Sequence, residues 1–367
     1  MSEKDLNTKV PQEDIDTVAS SGMDLSEKTR SASFLQQDYS INFFRSLSDA
    51  VDICDTDEAM QRYPEVRDYF GKNFRLLNRQ FPQDTRGGYF VRVKKGKTVE
   101  LPIQACLLLK AQGFQQKVHN IIILEEGAKA YLITGCSASE SAKEGLHVGI
   151  SEFFLAKNAY LNFTMIHSWR HDVTVKPMGI ADVGEGATFI SNYICLKPVK
   201  EIVMYPTAVL SGDYSRASFN SLILSYPGSL EDVGSRVIMR GSQTQAEILS
   251  RAVSLGGKVV ARGHIKAENQ NVKGHLECRG LILSEKGTIY AIPEMETDFR
   301  EVDLSHEAAI GKISKDEIEY LCSRGLSANE AQSVIVRGFM DAEVLGLPPL
   351  LKKEIDSLEE RTLKASF

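Results

Sequence analysis

From residue 89 to residue 296 the chain repeats one local pattern that few folds accommodate. Short runs rich in Val, Ile, Tyr, Phe and Thr alternate with Gly, Asn, Asp or Ser. Val118-His-Asn-Ile-Ile-Ile-Leu124 is followed by Glu-Glu-Gly-Ala and then by Lys129-Ala-Tyr-Leu-Ile-Thr134. Ala187-Thr-Phe-Ile190 comes after Gly184-Glu-Gly186, and Lys258-Val-Val-Ala-Arg262 after Gly256-Gly257. Short β-branched runs between turn residues, with almost no helical period, predict one large all-β unit. Roughly 200 residues of this kind can form a sandwich, a propeller or a β-solenoid. No clean sequence repeat chooses among the three.

The flanks differ. Residues 1–86 are polar and read as helical. Within them Val66, Phe70, Phe74, Leu77 and Phe81 fall at spacings of three and four after Pro64, which predicts an amphipathic helix docked on the main body. Beyond residue 313 the helical period returns. Ser327-Ala-Asn-Glu330 is a capping-box sequence, and Ala331, Val334, Ile335 and Phe339 follow as an apolar face. The charged stretch 350–365 reads as a solvated helix. The expected organisation is a helical region over 1–86, a β core over 87–313 and a second helical region over 314–367.

Charge and cysteine spacing narrow the chemistry. With 43 Lys plus Arg against 49 Asp plus Glu, there is no basic excess to neutralise phosphates, so nucleic-acid binding is not expected. Apolar runs such as 106–109 and 121–124 are far short of a membrane span, and the polar start Met1-Ser-Glu-Lys-Asp lacks a secretory core, so a soluble cytoplasmic protein is expected. The cysteines at 54, 106, 136, 195, 278 and 322 include no C-x-x-C pair, which excludes zinc-ribbon and thioredoxin-type motifs. Gly96-Lys-Thr98 lacks the earlier glycine of a phosphate loop, because Val91 stands there. Gly184-Glu-Gly186 lacks a third glycine and precedes a strand-like run, so it reads as a turn. What remains is Cys278, followed further on by Ser305-His306-Glu307. Thiolate, imidazole and carboxylate are the side chains that bind iron and other transition metals, although a single strand cysteine is more often a small buried hydrophobe.

These residues carry a family resemblance. His275-Leu-Glu-Cys278-Arg-Gly-Leu-Ile-Leu-Ser, Ile292-Pro-Glu, Ser305-His-Glu-Ala-Ala-Ile-Gly, Tyr320-Leu-Cys-Ser-Arg-Gly-Leu-Ser327 and Val336-Arg-Gly-Phe339 form an ordered set. The set resembles the C-terminal core of the SufB/SufD family, the scaffold subunits of the SUF iron–sulfur assembly machinery. The likeness extends upstream through Met204-Tyr-Pro, Gly212-Asp-Tyr-Ser-Arg216 and Leu101-Pro-Ile-Gln-Ala105 to Ser33-Phe-Leu-Gln-Gln-Asp38. It implies a mainly β chain: a right-handed parallel β-helix flanked by N- and C-terminal helical regions.

The resemblance also implies roles. Cys278 matches the SufB cysteine proposed as a cluster or sulfur ligand, Glu307 the SufB glutamate that follows a histidine, and His306 the SufD interface histidine. The expected cargo is a transient [2Fe–2S] or [4Fe–4S] cluster. The expected partners are a SufC-like ABC-type ATPase and a second SufB/SufD-type subunit, identical or paralogous, because one chain offers about three ligands where a cluster takes four. The chain itself is expected to be a scaffold, not an enzyme. Cys136 lines up with the cysteine proposed to accept sulfur, but Leu108, Lys110, His167 and Met204 stand where SufB-like chains carry polar tunnel residues, and only Trp169 agrees. That departure supports an alternative, a SufD-like structural subunit that binds no cluster. A β-helix polysaccharide enzyme would need acids clustered on one strand face. For the ATPase contact, the segment 320–339 is expected to present Arg324, Arg337 and Phe339; packing of that face on the β-helix end is the competing reading.

Overall fold

A computed structural model describes residue 10 and residues 12–23, 29–82 and 84–340. Its body is a β-solenoid of about eight turns of stacked parallel coils. One sheet holds ten strands and runs from Ser40–Ser46 at one end to Val302–Gly311 at the other; a second holds eleven and ends at Thr288–Thr297. The pairings Tyr160↔Thr188, Thr188↔Arg216, Arg216↔Gln245 and Lys273↔Asp303 advance the chain by 28, 28, 29 and 30 residues per coil. The solenoid is thus the one of the three all-β arrangements that this chain adopts.

A single corner explains how the coils stack. Gly127, Asn158, Gly186, Tyr214, Gln243 and Asn271 all have left-handed backbone, with φ between 57° and 68°. Each is followed by a buried residue, Ala128, Ala159, Ala187, Ser215, Thr244 or Val272, none more than 1% exposed. The corner amides hand on to the next coil: Asn158 N–H donates to Glu185 O at 2.8 Å, Gly186 to Asp213 O at 2.8 Å and Tyr214 to Ser242 O at 2.9 Å. Gly and Asn enter this conformation at low cost, so they dominate the corner without being obligatory. Strand side chains then alternate between a continuous interior and an outer face.

The N-terminal region carries the expected helices in part, Ile15–Ser20 and Thr56–Arg62, but is not helical throughout. It contributes three strands, Ala32–Gln37, Ser40–Ser46 and Val51–Asp55, of which Ser40–Ser46 and Val51–Asp55 pair antiparallel to their neighbours. The expected helix from Pro64 is broken into a 3-10 turn, Pro64–Asp68, and a short helix, Lys72–Leu76, on either side of Gly71 at φ 67°. Its apolar face still docks, with Val66 and Phe74 buried. The break has a specific anchor. Buried Glu152 accepts from Gly71 N–H at 2.6 Å and Asn73 N–H at 2.8 Å, and meets His119 Nε2 at 2.8 Å.

At the other end, the helices Lys315–Ser323 and Ala328–Phe339 follow the last strand, and the capping box at Ser327 and Glu330 is formed. Val336 and Met340 belong to one buried apolar cluster with Ile133, Ile166, Ile194, Leu222 and Val253, outward-facing residues of five coils. The buried stripe is therefore rotated from the expected one: Ala331, Val336 and Met340 are inside, while Val334 is 46% exposed. The stretch 350–365 lies outside the described residues. Among the described residues no helix is long and apolar enough to cross a membrane.

Candidate functional site

Strand Val272–Ile282 carries Cys278, and period two decides where its side chains go. Val272, Leu276 and Cys278 join the solenoid core, whereas Lys273 and Arg279 are exposed and His275 and Glu277 half-buried on the outer face. The neighbouring strand Val302–Gly311 pairs Leu276 with His306, Glu277 with Glu307 and Cys278 with Ala308. His306 therefore shares the interior face with Cys278, one diagonal step away, while Glu307 lies on the opposite face. The three residues expected to act together are split by the sheet.

Each half has its own character. Cys278 is 2% exposed, and burial, assisted by the Glu277 carboxylate, pushes its thiol up to about 11. At neutral pH it is a thiol, so a metal ion must displace its proton to bind. His306 is half-buried, and its Nε2 is buried without a hydrogen-bond partner among the described residues. On the outer face His275, Glu277 and Glu307 bring three ligand atoms within 4.8 Å of one another. His275 Nδ1 meets Ser305 Oγ at 2.8 Å, and Arg279 Nη2 donates to Glu277 Oε2 at 3.0 Å. Sequence reasoning missed His275 and Glu277. The available signal was the His-x-Glu spacing on one strand, with Glu307 one coil length later.

Around these residues the solenoid is open. Strands Thr288–Thr297 and Val302–Gly311 are the last of their sheets, each with a neighbour on one side only. Tyr290, Met295, Phe299 and Ile310 are between 39% and 52% exposed there. An uncovered pair of edge strands with apolar side chains is a ready template for pairing with another chain.

Cys136 lies five coils away in the same interior. It aligns with His167, which aligns with Cys195, and all three are buried. Burial, with Cys106 nearby, holds the Cys136 thiol well above its usual range. A second interior column, Met165, Tyr193, Ser221, Ser250 and Cys278, runs in register to the last coil. Met165, Tyr193, Ser221 and Met204 line a cavity of about 40 Å³, room for water but not an open channel. His167 Nδ1 meets Tyr193 Oη at 3.0 Å, and Trp169 sits between the His147 and His167 rings. Leu108 instead packs in an outer cluster with Cys106, and Lys110 reaches Glu13 and Asp14 at 2.6 and 2.7 Å, so these two do not line the interior.

The residues expected to meet an ATPase are unequal. Arg324 is exposed and stacks over Tyr320, itself 59% exposed. Phe339 packs against the solenoid cluster, its carbonyl accepting from Arg251 Nη1 at 3.0 Å, and Arg337 is half-buried on the same helix.

Fold and site together define a class: a parallel β-solenoid whose last, open coil carries a thiol, imidazoles and carboxylates suited to transition metals. The family described as "SUF system FeS cluster assembly, SufBD core domain" matches residues 107–339. The chain is 49% identical over 338 residues to an iron–sulfur cluster assembly SufBD family protein of Archaeoglobus fulgidus, covering 91% of each chain. It is 41% identical over 365 residues to one of Methanothermobacter thermautotrophicus, covering 97% of this chain and 89% of the relative. To a Pyrococcus horikoshii relative of the same description it is 32% identical, covering 85% and 71%. The chain belongs to the SufBD family. The family is a component of the iron–sulfur cluster assembly system.

Proposed function

We propose that this chain is a scaffold on which a nascent iron–sulfur cluster is built and from which it is passed on, working with an ABC-type ATPase in the cytoplasm. The observation that carries the reading is the last coil, where Cys278 and the unpartnered Nε2 of His306 face the same interior beside two unpaired edge strands. Thiolate suits iron and sulfide, while imidazole is a weaker, exchangeable ligand. One chain falls short of four ligands, so two open coils meeting end to end would complete the set and cover the exposed Met295 and Ile310. A pair of identical chains is the simplest such assembly. Tyr320, Arg324 and Val334 are exposed on the C-terminal helices and form the proposed ATPase contact. Anaerobic reconstitution with iron and sulfide should give charge-transfer absorption that Cys278→Ala abolishes. An unchanged spectrum removes Cys278 from the site.

A structural, SufD-like role without a cluster is the second reading. It is favoured by the cavity of only about 40 Å³ that Met165 and Met204 line, which offers no polar path of the kind the SufB-like tunnel residues would supply. A chain that takes up no iron with sulfide, yet still binds the ATPase, would establish this role.

A further inference from the structure

The outer face of the last coil holds a second donor set that the proposed cluster site does not use. We propose that His275, Glu277 and Glu307 form a docking site for a single iron(II) ion, separated from the Cys278 thiol by the thickness of the sheet. Three observations converge on it. His275 and Glu277 are two residues apart on one strand and so project from the same face, and Glu307 is the register partner of Glu277 on the next. Their ligand atoms already lie within 4.8 Å of one another. Directly opposed carboxylates on neighbouring strands repel, and of the two only Glu277 has a cationic partner among the described residues, Arg279 at 3.0 Å. A divalent ion would relieve what that single guanidinium leaves uncompensated.

The donors indicate the class of ion. One imidazole and two carboxylates are nitrogen and oxygen ligands of intermediate hardness, the set that takes iron(II) or manganese(II) with open positions. The contact between His275 Nδ1 and Ser305 Oγ at 2.8 Å is the outer hydrogen bond that commonly fixes a ligating ring, leaving Nε2 for the metal. Access is not limiting. His275 and Ser305 line an open groove of about 480 Å³ that also presents Glu247 and Asp303 with Arg216 and Lys273, and Glu307, outside that groove, is itself exposed. Glu307 is exposed and sits on the terminal strand of its sheet, so an ion held by it is one strand edge away from the interior face where Cys278 lies.

The role of this ion as incoming iron for the cluster rests on the scaffold reading; the binding itself does not. The test is therefore made without sulfide. Ferrous iron is titrated anaerobically into the full-length protein, and bound iron is counted by equilibrium dialysis and Mössbauer spectroscopy for wild type, His275→Ala, Glu277→Gln and Cys278→Ala. The expected result is one nitrogen/oxygen-coordinated iron(II) per chain. Its affinity should fall at least about tenfold in the His275 and Glu277 variants and stay unchanged in Cys278→Ala, with all four circular dichroism spectra alike. Arg279→Ala supplies a second arm: removing the competing cation should tighten binding, an effect that lost folding cannot mimic. Iron bound equally by the His275 and Glu277 variants, iron lost with Cys278→Ala instead, or no iron bound by wild type without sulfide would each overturn the site. Cluster formation with sulfide is scored separately, so a failed docking site and a failed scaffold give different results.

Discussion

Replacing Glu231 with Gln should stabilise this protein, and by an amount that depends on pH. Glu231 lies in strand Leu230–Met239, is fully buried, and has no hydrogen-bond partner for either carboxylate oxygen among the described residues. Burial raises its carboxyl from an ordinary 4.5 to about 8, with the Ser225 hydroxyl opposing weakly. Below pH 4.5 the group is protonated in both folded and unfolded chains and imposes no penalty. Above it the unfolded chain ionises first, and each further pH unit removes about 1.4 kcal/mol of stability until the folded carboxyl also titrates. The loss reaches about 3 kcal/mol at pH 7 and about 4 kcal/mol at pH 8. Glutamine keeps the shape, remains neutral, and leaves a comparable unpaired polar group. Urea unfolding of wild type and Glu231→Gln should therefore nearly coincide at pH 4.5 and separate by about 3 kcal/mol at pH 7. A difference that is the same at both pH values would mean that Glu231 is not held protonated by its surroundings, and the reasoning would fail.

Two further outcomes test other parts of the molecule. Glu152→Ala removes the acceptor shared by Gly71 N–H, Asn73 N–H and His119, so it should lower urea stability by about 3 kcal/mol; Glu152→Gln, which keeps one acceptor oxygen, should lose less. Arg324→Glu should weaken capture of the partner ATPase about tenfold, as expected for an arginine hot spot, while leaving circular dichroism and cluster reconstitution unchanged; undiminished capture would place the contact elsewhere.

Features set by neighbouring residues were legible in the sequence. The capping box at Ser327 needs only the residue three positions on, and the turn at Gly184-Glu-Gly186 needs only its own glycines. The coil repeat was not legible, because its corner constrains one backbone conformation and one small buried residue; Tyr214-Ser215 and Gln243-Thr244 fill it as Gly127-Ala128 does. The strands before residue 56 escaped because Ser40–Ser46 is half-exposed along its length and gives no clean alternation. At the site, the kinds of residue were readable but their faces were not. Whether Glu307 joins Cys278 or His275 depends on a register counted across a whole coil. The pairing of Glu277 with Glu307 puts the carboxylate outside and His306 inside.

Stacked-coil proteins lose structure coil by coil, since each layer touches only its immediate neighbours. Here the helix Ala328–Phe339 docks on the outer face of the stack, Val336 and the following Met340 sharing one cluster with Ile133, Ile166, Ile194, Leu222 and Val253. It acts as a splint. A coil in the middle cannot open without also stripping apolar surface from that helix, so five layers are tied into one cooperative unit. The same cluster reaches the last coil, where Leu281, Leu283 and Ile313 pack against it, although Tyr290, Met295 and Ile310 stay exposed. In hydrogen exchange the last coil should therefore be protected together with the splinted body on that face, and its one-sided edge strands, Thr288–Thr297 and Val302–Gly311, should exchange first.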